Sequence, residues 1–277
     1  MMRRLFILPA VFALTLAALV APLGLQAQCS AENYAFKSGE TLIYDLYFNW
    51  KFVWMKVGTA SMNITQTVFD GKPAYRSYLI TRTGGTADKY FTMRDTLMAY
   101  TDLNLTPRYY SKRAFEGKTY RRNEVWYSYP EGKCRMKMRY QRDDLEPQIK
   151  TITEKYCGFD MISMLLRARS YDSSKFKVGH RINFLMPDGR ECEWKALVYR
   201  GKKKFKADGT NTTYRCLVFS FMEKEKGEEE KEIVTFYVTD DKNHLPVRLD
   251  LNLRFGTAKA YLKGARGVRN PQTAKIK

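Results

Sequence analysis

Residues 247–254 read Val-Arg-Leu-Asp-Leu-Asn-Leu-Arg, a strict alternation of apolar and polar side chains. Successive side chains of a β-strand point to opposite sides of its sheet, so this run predicts one buried and one wet face. The same period appears in residues 134–140 and again in residues 42–50, where one parity is held by Leu42, Tyr44, Leu46, Phe48 and Trp50. Period-two alternation therefore predicts β-strands as the main element of this chain.

Turn-forming dipeptides separate these runs at short intervals: Asp70-Gly71, Glu116-Gly117, Pro130-Glu131-Gly132, Pro187-Asp188-Gly189 and Asp208-Gly209. Such residues supply the backbone angles that tight hairpins need. About a dozen short strands joined by hairpins are typical of a meander. We therefore expect a mainly β fold, an antiparallel meander forming a curved sheet or barrel.

One segment departs from this period. Between Asp160 and Arg169 the apolar residues Ile162, Leu165 and Leu166 fall at helical spacing, and Asp160 can accept hydrogen bonds as the N-cap. We expect one short helix here and a helical turn near residues 86–91. Two polar stretches, residues 202–206 and 223–232, predict exposed loops.

The N-terminus has the three parts of a secretory signal peptide: a basic start, an apolar run from Leu5 to Leu25, and a small residue at Ala27. A retained membrane anchor is the alternative, since about 20 apolar residues suffice to span a bilayer. The residues before Cys29 depart from a lipoprotein signal, which disfavours a lipid anchor. We expect residues 1–27 to be a signal peptide, residues 28–264 one β-rich domain, and residues 265–277 a loose basic tail.

This leader predicts an exported protein of the periplasm or cell envelope. Lys and Arg recur at mid-strand, and the chain ends in Ala-Lys-Ile-Lys, so we expect a soluble barrel over an outer-membrane one. The net charge is +19, and +17 once Arg3 and Arg4 are removed. A basic surface favours anionic partners such as lipid headgroups or acidic glycans, or serves only solubility. Export makes nucleic acid the poorest partner.

All five cysteines lie after the leader: Cys29, Cys134, Cys157, Cys192 and Cys216. An oxidising compartment permits disulfides, and an odd number leaves at least one thiol unpaired. Cys134 and Cys192 lie on the apolar parity of their strands, which predicts buried thiols. The spacing selects no particular pairing.

Several segments resemble, in order along the chain, a family of exported bacterial proteins known as a domain of unknown function, DUF3108. They begin with Phe36-Lys37-Ser38-Gly39-Glu40 followed by Leu42 and Tyr44, and continue through Val57-Gly58-Thr59-Ala60, Tyr100-Thr101-Asp102-Leu103 with Pro107, Asp160-Met161-Ile162-Ser163 with Arg167, Val238-Thr239-Asp240, Leu245-Pro246-Val247 and Gly256. The resemblance implies one β-rich domain in the cell envelope. It implies no established activity and no catalytic residues.

The chain contains no nucleophile elbow, zinc-protease helix or glycine-rich phosphate loop. Its two histidines, His180 and His244, are far apart, and His244 lies in a segment, Asp240–His244, that predicts a hairpin turn. We therefore predict no catalytic residues, no metal site and no cofactor, and leave open whether the protein is an enzyme.

The most unusual segment is residues 50–57, Trp-Lys-Phe-Val-Trp-Met-Lys-Val, in which aromatic and basic side chains alternate. This combination suits a membrane surface, a lipid headgroup or a sugar; the alternative is an ordinary buried hairpin. The candidate ligand-binding residues are Trp50, Phe52 and Trp54, with Arg94 as an anion contact. Asp160 and Arg167 form a polar pair on the helix, or else a helix cap and a surface cation.

Three functions follow from these features. The first is a non-enzymatic envelope protein that binds an amphipathic or anionic envelope component, a lipid or an anionic glycan, with peripheral membrane contact. The second is a structural or assembly partner of another envelope protein. The third, favoured least, is a hydrolase of an envelope polymer that uses carboxylates alone.

Overall fold

A computed structural model describes residues 29–50, 53–207, 212–224, 227–253 and 256–276. It contains fifteen strands and one α-helix, α1 at Met161–Arg169. The first eight strands are β1 Glu40–Trp50, β2 Val53–Phe69, β3 Lys72–Thr83, β4 Met93–Asp102, β5 Pro107–Glu116, β6 Thr119–Ser128, β7 Cys134–Arg142 and β8 Gln148–Glu154. The others follow α1: β9 Arg181–Pro187, β10 Cys192–Lys206, β11 Thr213–Glu223, β12 Lys231–Thr239, β13 Pro246–Leu253, β14 Gly256–Arg266 and β15 Lys275–Ile276.

The strands form one antiparallel sheet in which neighbours along the chain are almost always neighbours in space. The order is β8-β7-β6-β5-β4-β3-β2-β1-β14-β13-β12-β11-β10-β9, with β15 paired to β11. The pairing of β1 with β14 joins the two halves. The expected mainly β meander with one short helix is confirmed, and the helix begins one residue after its predicted cap, Asp160.

Alternation places one buried row across the sheet. Side chains that face each other in register lie on the same face, and one such row is buried throughout its seven strands: Glu40, Ile64, Ser77, Ala99, Tyr110, Val125 and Met138. The helix residues Ile162 and Leu166 pack into the same core. The buried face therefore lines a curved sheet whose interior is partly filled by α1.

The sheet is not closed by a strand ladder, since β8 and β9 are its two edges. The chain between β8 and α1 spans the gap with a single parallel bridge from Gly158 to Leu185. The β9–β10 turn also lies against β6, where the Asn123 side-chain amide donates to the Asp188 carbonyl over 2.8 Å. Gly189 in that turn has φ +100°, and a Cβ there would lie 2.7 Å from Asn123 Cβ. Only glycine fits so close an approach.

Several hairpin predictions are confirmed. Asp70, Gly71, Gly117, Glu131, Gly132 and Gly189 all have positive φ angles at turns, whereas the predicted turn at Asp208-Gly209 lies outside the described residues. The predicted helical turn is a 3-10 turn at Gly85–Lys89. The polar stretch 223–232 contains the end of β11 and the start of β12, as expected for a hairpin end.

Two loop predictions were wrong. Residues 202–206 belong to β10, because Phe205 is buried and the stretch pairs with β11 despite its lysines. The segment predicted as a loose tail is held in place: Ala274 is buried, Lys275 and Ile276 pair with β11, and Asn243 donates to the Asn270 carbonyl. The backbone hydrogen bonds of a short edge strand need no large apolar side chains, which is why composition failed here.

Cys29 and Cys157 form a disulfide across 128 residues of sequence, while Cys134, Cys192 and Cys216 are free thiols. Cys134 is buried, as predicted, and Cys192 is half-buried. Burial raises the pKa of the Cys192 and Cys216 thiols to about 12, which suppresses thiolate chemistry at neutral pH. In the described part of the chain, no helix has the length and apolar composition needed to cross a membrane.

Candidate functional site

Helix α1 has two apolar faces, and only one of them is fully covered. Ile162 and Leu166 pack into the main core. The second face carries Met161, Met164, Leu165 and Ala168 at positions i, i+3, i+4 and i+7, and Met161 is 50% exposed. Met164 is already buried beside Phe184 and Leu197, so the part of this face that stays partly open is formed by Met161, Leu165 and Ala168.

That second face forms one wall of a groove, and the inner face of β9–β12 forms the other. The remaining lining side chains are Arg169, Tyr171, Met186, Leu197, Phe219, Phe221, Phe236, Val238 and His244. The free volume is about 80 Å³, smaller than the roughly 300–1,000 Å³ of a typical drug-sized ligand site. The groove therefore suits a narrow group, and its three methionines can adapt their shape to such a guest.

The polar end of the groove is formed by Arg169 and His244. His244 Nδ1 lies 2.6 Å from the Arg169 carbonyl oxygen. A carbonyl can only accept, so Nδ1 carries the proton and Nε2 is the ring nitrogen left for a ligand. His244 lies in the predicted turn with φ +43°, which directs the ring back towards the helix. Sequence reasoning assigned it to the turn and missed the groove.

The Arg169 side chain is held by contacts within the fold. Its guanidinium makes two bonds to the Glu40 carboxylate, 2.5 and 3.0 Å long, and donates a third to the Asn243 carbonyl. It also lies over the Phe36 ring. Arg169 is 2% exposed and Glu40 1%. This buried pair fixes the end of α1 to the start of β1 and thereby sets the position of one groove wall.

The structure separates the two helix residues selected from the sequence. Asp160 is fully buried and caps α1, accepting from the backbone amides of Ile162 and Ser163 and from the Tyr127 hydroxyl. Burial raises its pKa, although these hydrogen bonds oppose the rise. Arg167 donates to the carbonyls of Cys29 and Ser30 and lies over the Phe159 ring. The two side chains therefore serve different contacts, and their role towards a ligand stays a prediction.

The aromatic–basic segment joins the end of β1 to the start of β2, and none of its described residues lines the groove. Phe52 and the side chain of Trp50 lie outside the described parts of the chain. Trp54 is 45% exposed, with the Lys259 ammonium 4.4 Å from its ring centroid. Arg94 pairs with Asp88 over 2.6 Å. The exposure that this hypothesis needs is present at Trp54, and its binding role stays a prediction.

A charged cluster interrupts the inner face of β4–β6. Lys112 lies 3.9 Å from Asp95 and 3.6 Å from Glu116, and Arg121 pairs with Glu116 over 2.7 Å. Desolvation and the neighbouring Glu116 raise the pKa of Asp95 to about 6, against the attraction of Lys112. Both carboxylates therefore share Lys112 as an ion-pair partner. Among the described residues, no group of His, Cys, Asp and Glu converges as metal ligands would.

Comparison with known proteins gives a family and a fold. A family model described as "Protein of unknown function (DUF3108)" matches residues 43–263. Among solved structures, the chain is similar to a beta-barrel-like protein of domain of unknown function DUF1849 from Brucella abortus, at 9% identity and a TM-score of 0.53. That similarity covers 84% of this chain and 99% of the other. A search of curated proteins found no match.

Proposed function

We propose, for a chain that belongs to the DUF3108 family of proteins of unknown function, that it is a non-enzymatic envelope protein that binds an amphipathic envelope component. The apolar part of that ligand enters the groove between α1 and β9–β12, and its polar part reaches His244. The observation that carries this proposal is the second apolar face of α1, which the fold leaves partly open.

The shape and chemistry of the groove favour a single hydrocarbon chain. Its free volume of about 80 Å³ is narrow, and its walls are methionine, leucine, valine and aromatic side chains, which offer apolar contact without hydrogen bonds. A volume of about 80 Å³ holds only a short segment of a single hydrocarbon chain, so the remainder of such a ligand would extend out of the groove.

His244 supplies the polar contact at the end of the groove. Because Nδ1 is used by the Arg169 carbonyl, Nε2 can accept from a hydroxyl or amine of the ligand, or donate to an acidic headgroup when the ring is protonated. Arg169 cannot turn to the ligand without leaving Glu40 buried and unpaired, so His244 is the polar side chain of the groove that can contact a ligand.

The first experiment is native mass spectrometry of residues 28–277 purified gently from the envelope fraction. A reproducible extra mass, extracted and identified as a lipid, supports the proposal. A fluorescently labelled fatty acid then serves as the probe in a titration. Ala168→Phe fills the groove and is expected to weaken probe binding about tenfold or more, since apolar burial is lost.

The matched control is Lys175→Phe, which introduces the same side chain at an exposed position. The Lys175 side chain is 83% exposed even in its ion pair with Asp172. We expect it to bind the probe like the wild type. An unaltered affinity in Ala168→Phe, with native circular dichroism, would remove the groove as the site. A clean apo mass together with a protein recovered by crosslinking through α1 would favour the assembly-partner function instead.

A further inference from the structure

The meander gathers several hairpin turns at one end of the sheet. Because β1 to β6 are neighbours in chain order, the start of β2, the β3–β4 turn and the β5–β6 turn lie side by side. Two backbone hydrogen bonds join them: Gly84 donates to the Val57 carbonyl over 3.1 Å, and Gly117 to the Thr92 carbonyl over 2.7 Å. These three segments therefore form one continuous edge.

Large apolar side chains are exposed along this edge. Tyr90 is 83% exposed and Phe91 51%, and four more are at least 39% exposed: Trp54, Met55, Phe115 and Tyr120. We call these six residues the aromatic rim. Scattered exposed apolar residues need no explanation, but several gathered at one end of a sheet indicate an interaction surface. Tyrosine and tryptophan have the amphipathic rings that suit a bilayer interface.

The charge around the aromatic rim is strongly positive. Residues 54–60, 82–94 and 113–122 contain eight Lys and Arg and two acids, Asp88 and Glu116. Both acids are already paired with arginine. Arg82, Lys89 and Lys118 are exposed, and no ion pair joins them to another described residue. These cations can therefore contact an external anionic surface.

From the aromatic rim and its cations we infer that this end of the sheet docks on an anionic lipid bilayer, with the rings at the headgroup level. A bilayer surface fits better than a protein partner because the turns lie along one edge and combine apolar tips with one sign of charge. The inference is independent of the groove, since none of the rim residues lines it.

The experiment is co-sedimentation of the wild type with two kinds of vesicle, one of pure phosphatidylcholine and one in which half the lipid is phosphatidylglycerol. We expect binding to the anionic vesicles alone, weakened as salt is raised. Tyr90→Ser with Phe91→Ser should reduce it about tenfold or more through lost apolar burial. Lys89→Glu with Lys118→Glu should reduce it roughly tenfold or more through charge reversal.

Val68→Ser is the matched control, because Val68 is 66% exposed beside the β2–β3 turn at the opposite end of the sheet. It should bind vesicles like the wild type. The groove variant Ala168→Phe should also retain vesicle binding, which separates this inference from the proposed function. Wild-type protein that stays in solution with both kinds of vesicle would overturn the inference. Rim variants that still sediment with anionic vesicles but no longer crosslink to a protein partner would overturn it as well.

Discussion

The guanidinium of Arg169 and the carboxylate of Glu40 are both buried and form an ion pair, so removing either side chain leaves the other buried without its partner. We expect Arg169→Met to lower the free energy of unfolding by about 3–5 kcal/mol, since it leaves Glu40 uncompensated. Combining it with Glu40→Leu should restore most of that loss. Urea denaturation of the three variants measures this. Lys175→Met is the control, because its exposed pair with Asp172 is screened by solvent and should contribute little to stability.

This buried pair was predictable in principle. Glu40 has the same parity as Leu42 and Tyr44, and Arg169 follows Ile162 and Leu166 at helical spacing. Two opposite charges on apolar positions indicate a buried ion pair, because neither charge is stable there alone. Sequence reasoning selected Arg167 instead, and helical spacing alone could not show that Arg167 faces the Cys29–Ser30 backbone.

Asp95 makes stability depend on pH. Its pKa is raised from 3.8 to about 6 in the folded protein, so the folded state holds this proton more tightly than the unfolded chain. The free energy of unfolding should therefore fall as pH rises from about 4 to about 6. Asp95→Asn should remove this loss, which amounts to at most about 3 kcal/mol. Denaturation at pH 4 and pH 7 tests it; a wild-type difference equal to that of Asp95→Asn would contradict it.

At the scale of single elements, α1 depends on its N-cap. Asp160→Ala removes acceptors for the amides of Ile162 and Ser163, about 1–2 kcal/mol. It also leaves the buried Tyr127 hydroxyl without its acceptor, a further loss of about 1–3 kcal/mol. Thermal unfolding measures the sum. Asp172→Ala, which removes the cap of the exposed turn Ser173–Lys175, should change stability far less; equal effects would disprove a special role for the buried cap.

Strands, hairpin turns and α1 could be predicted because their signals are local. The parity of residues 134–140 fixes which side chains are buried, and Asp160 marks where the helix begins. Strand order could not be predicted, since nothing in the parity of β1 selects β14 as its second neighbour. The groove was missed because it forms only when α1 packs against β9–β12 in the folded protein. No local sequence pattern indicates which strands will lie against the helix.

At the scale of the whole molecule, the Cys29–Cys157 disulfide joins the chain before β1 to the segment that leads into α1. Closing so long a loop restricts the unfolded chain, so its loss should lower the free energy of unfolding by about 2–5 kcal/mol. Denaturation of wild type with and without reductant measures this. Cys29→Ser with Cys157→Ser should match reduced wild type and be insensitive to reductant; a wild type equally stable in both conditions would contradict the assignment.

The pairing of β1 with β14 brings Asp45 beside Tyr261, whereas every other ladder of the fourteen-strand path joins strands consecutive in the chain. Two strands so far apart in sequence pair slowly, because bringing them together costs chain entropy. The hairpins within β1–β8 and within β9–β14 can therefore form before β1 pairs with β14. A circular permutant that starts at β9, with the tail after β14 linked to the segment before β1, would make β14 and β1 consecutive strands of the path. Its strands would then follow in strict chain order from β9 to β8, and stopped-flow refolding should show the slowest phase accelerated.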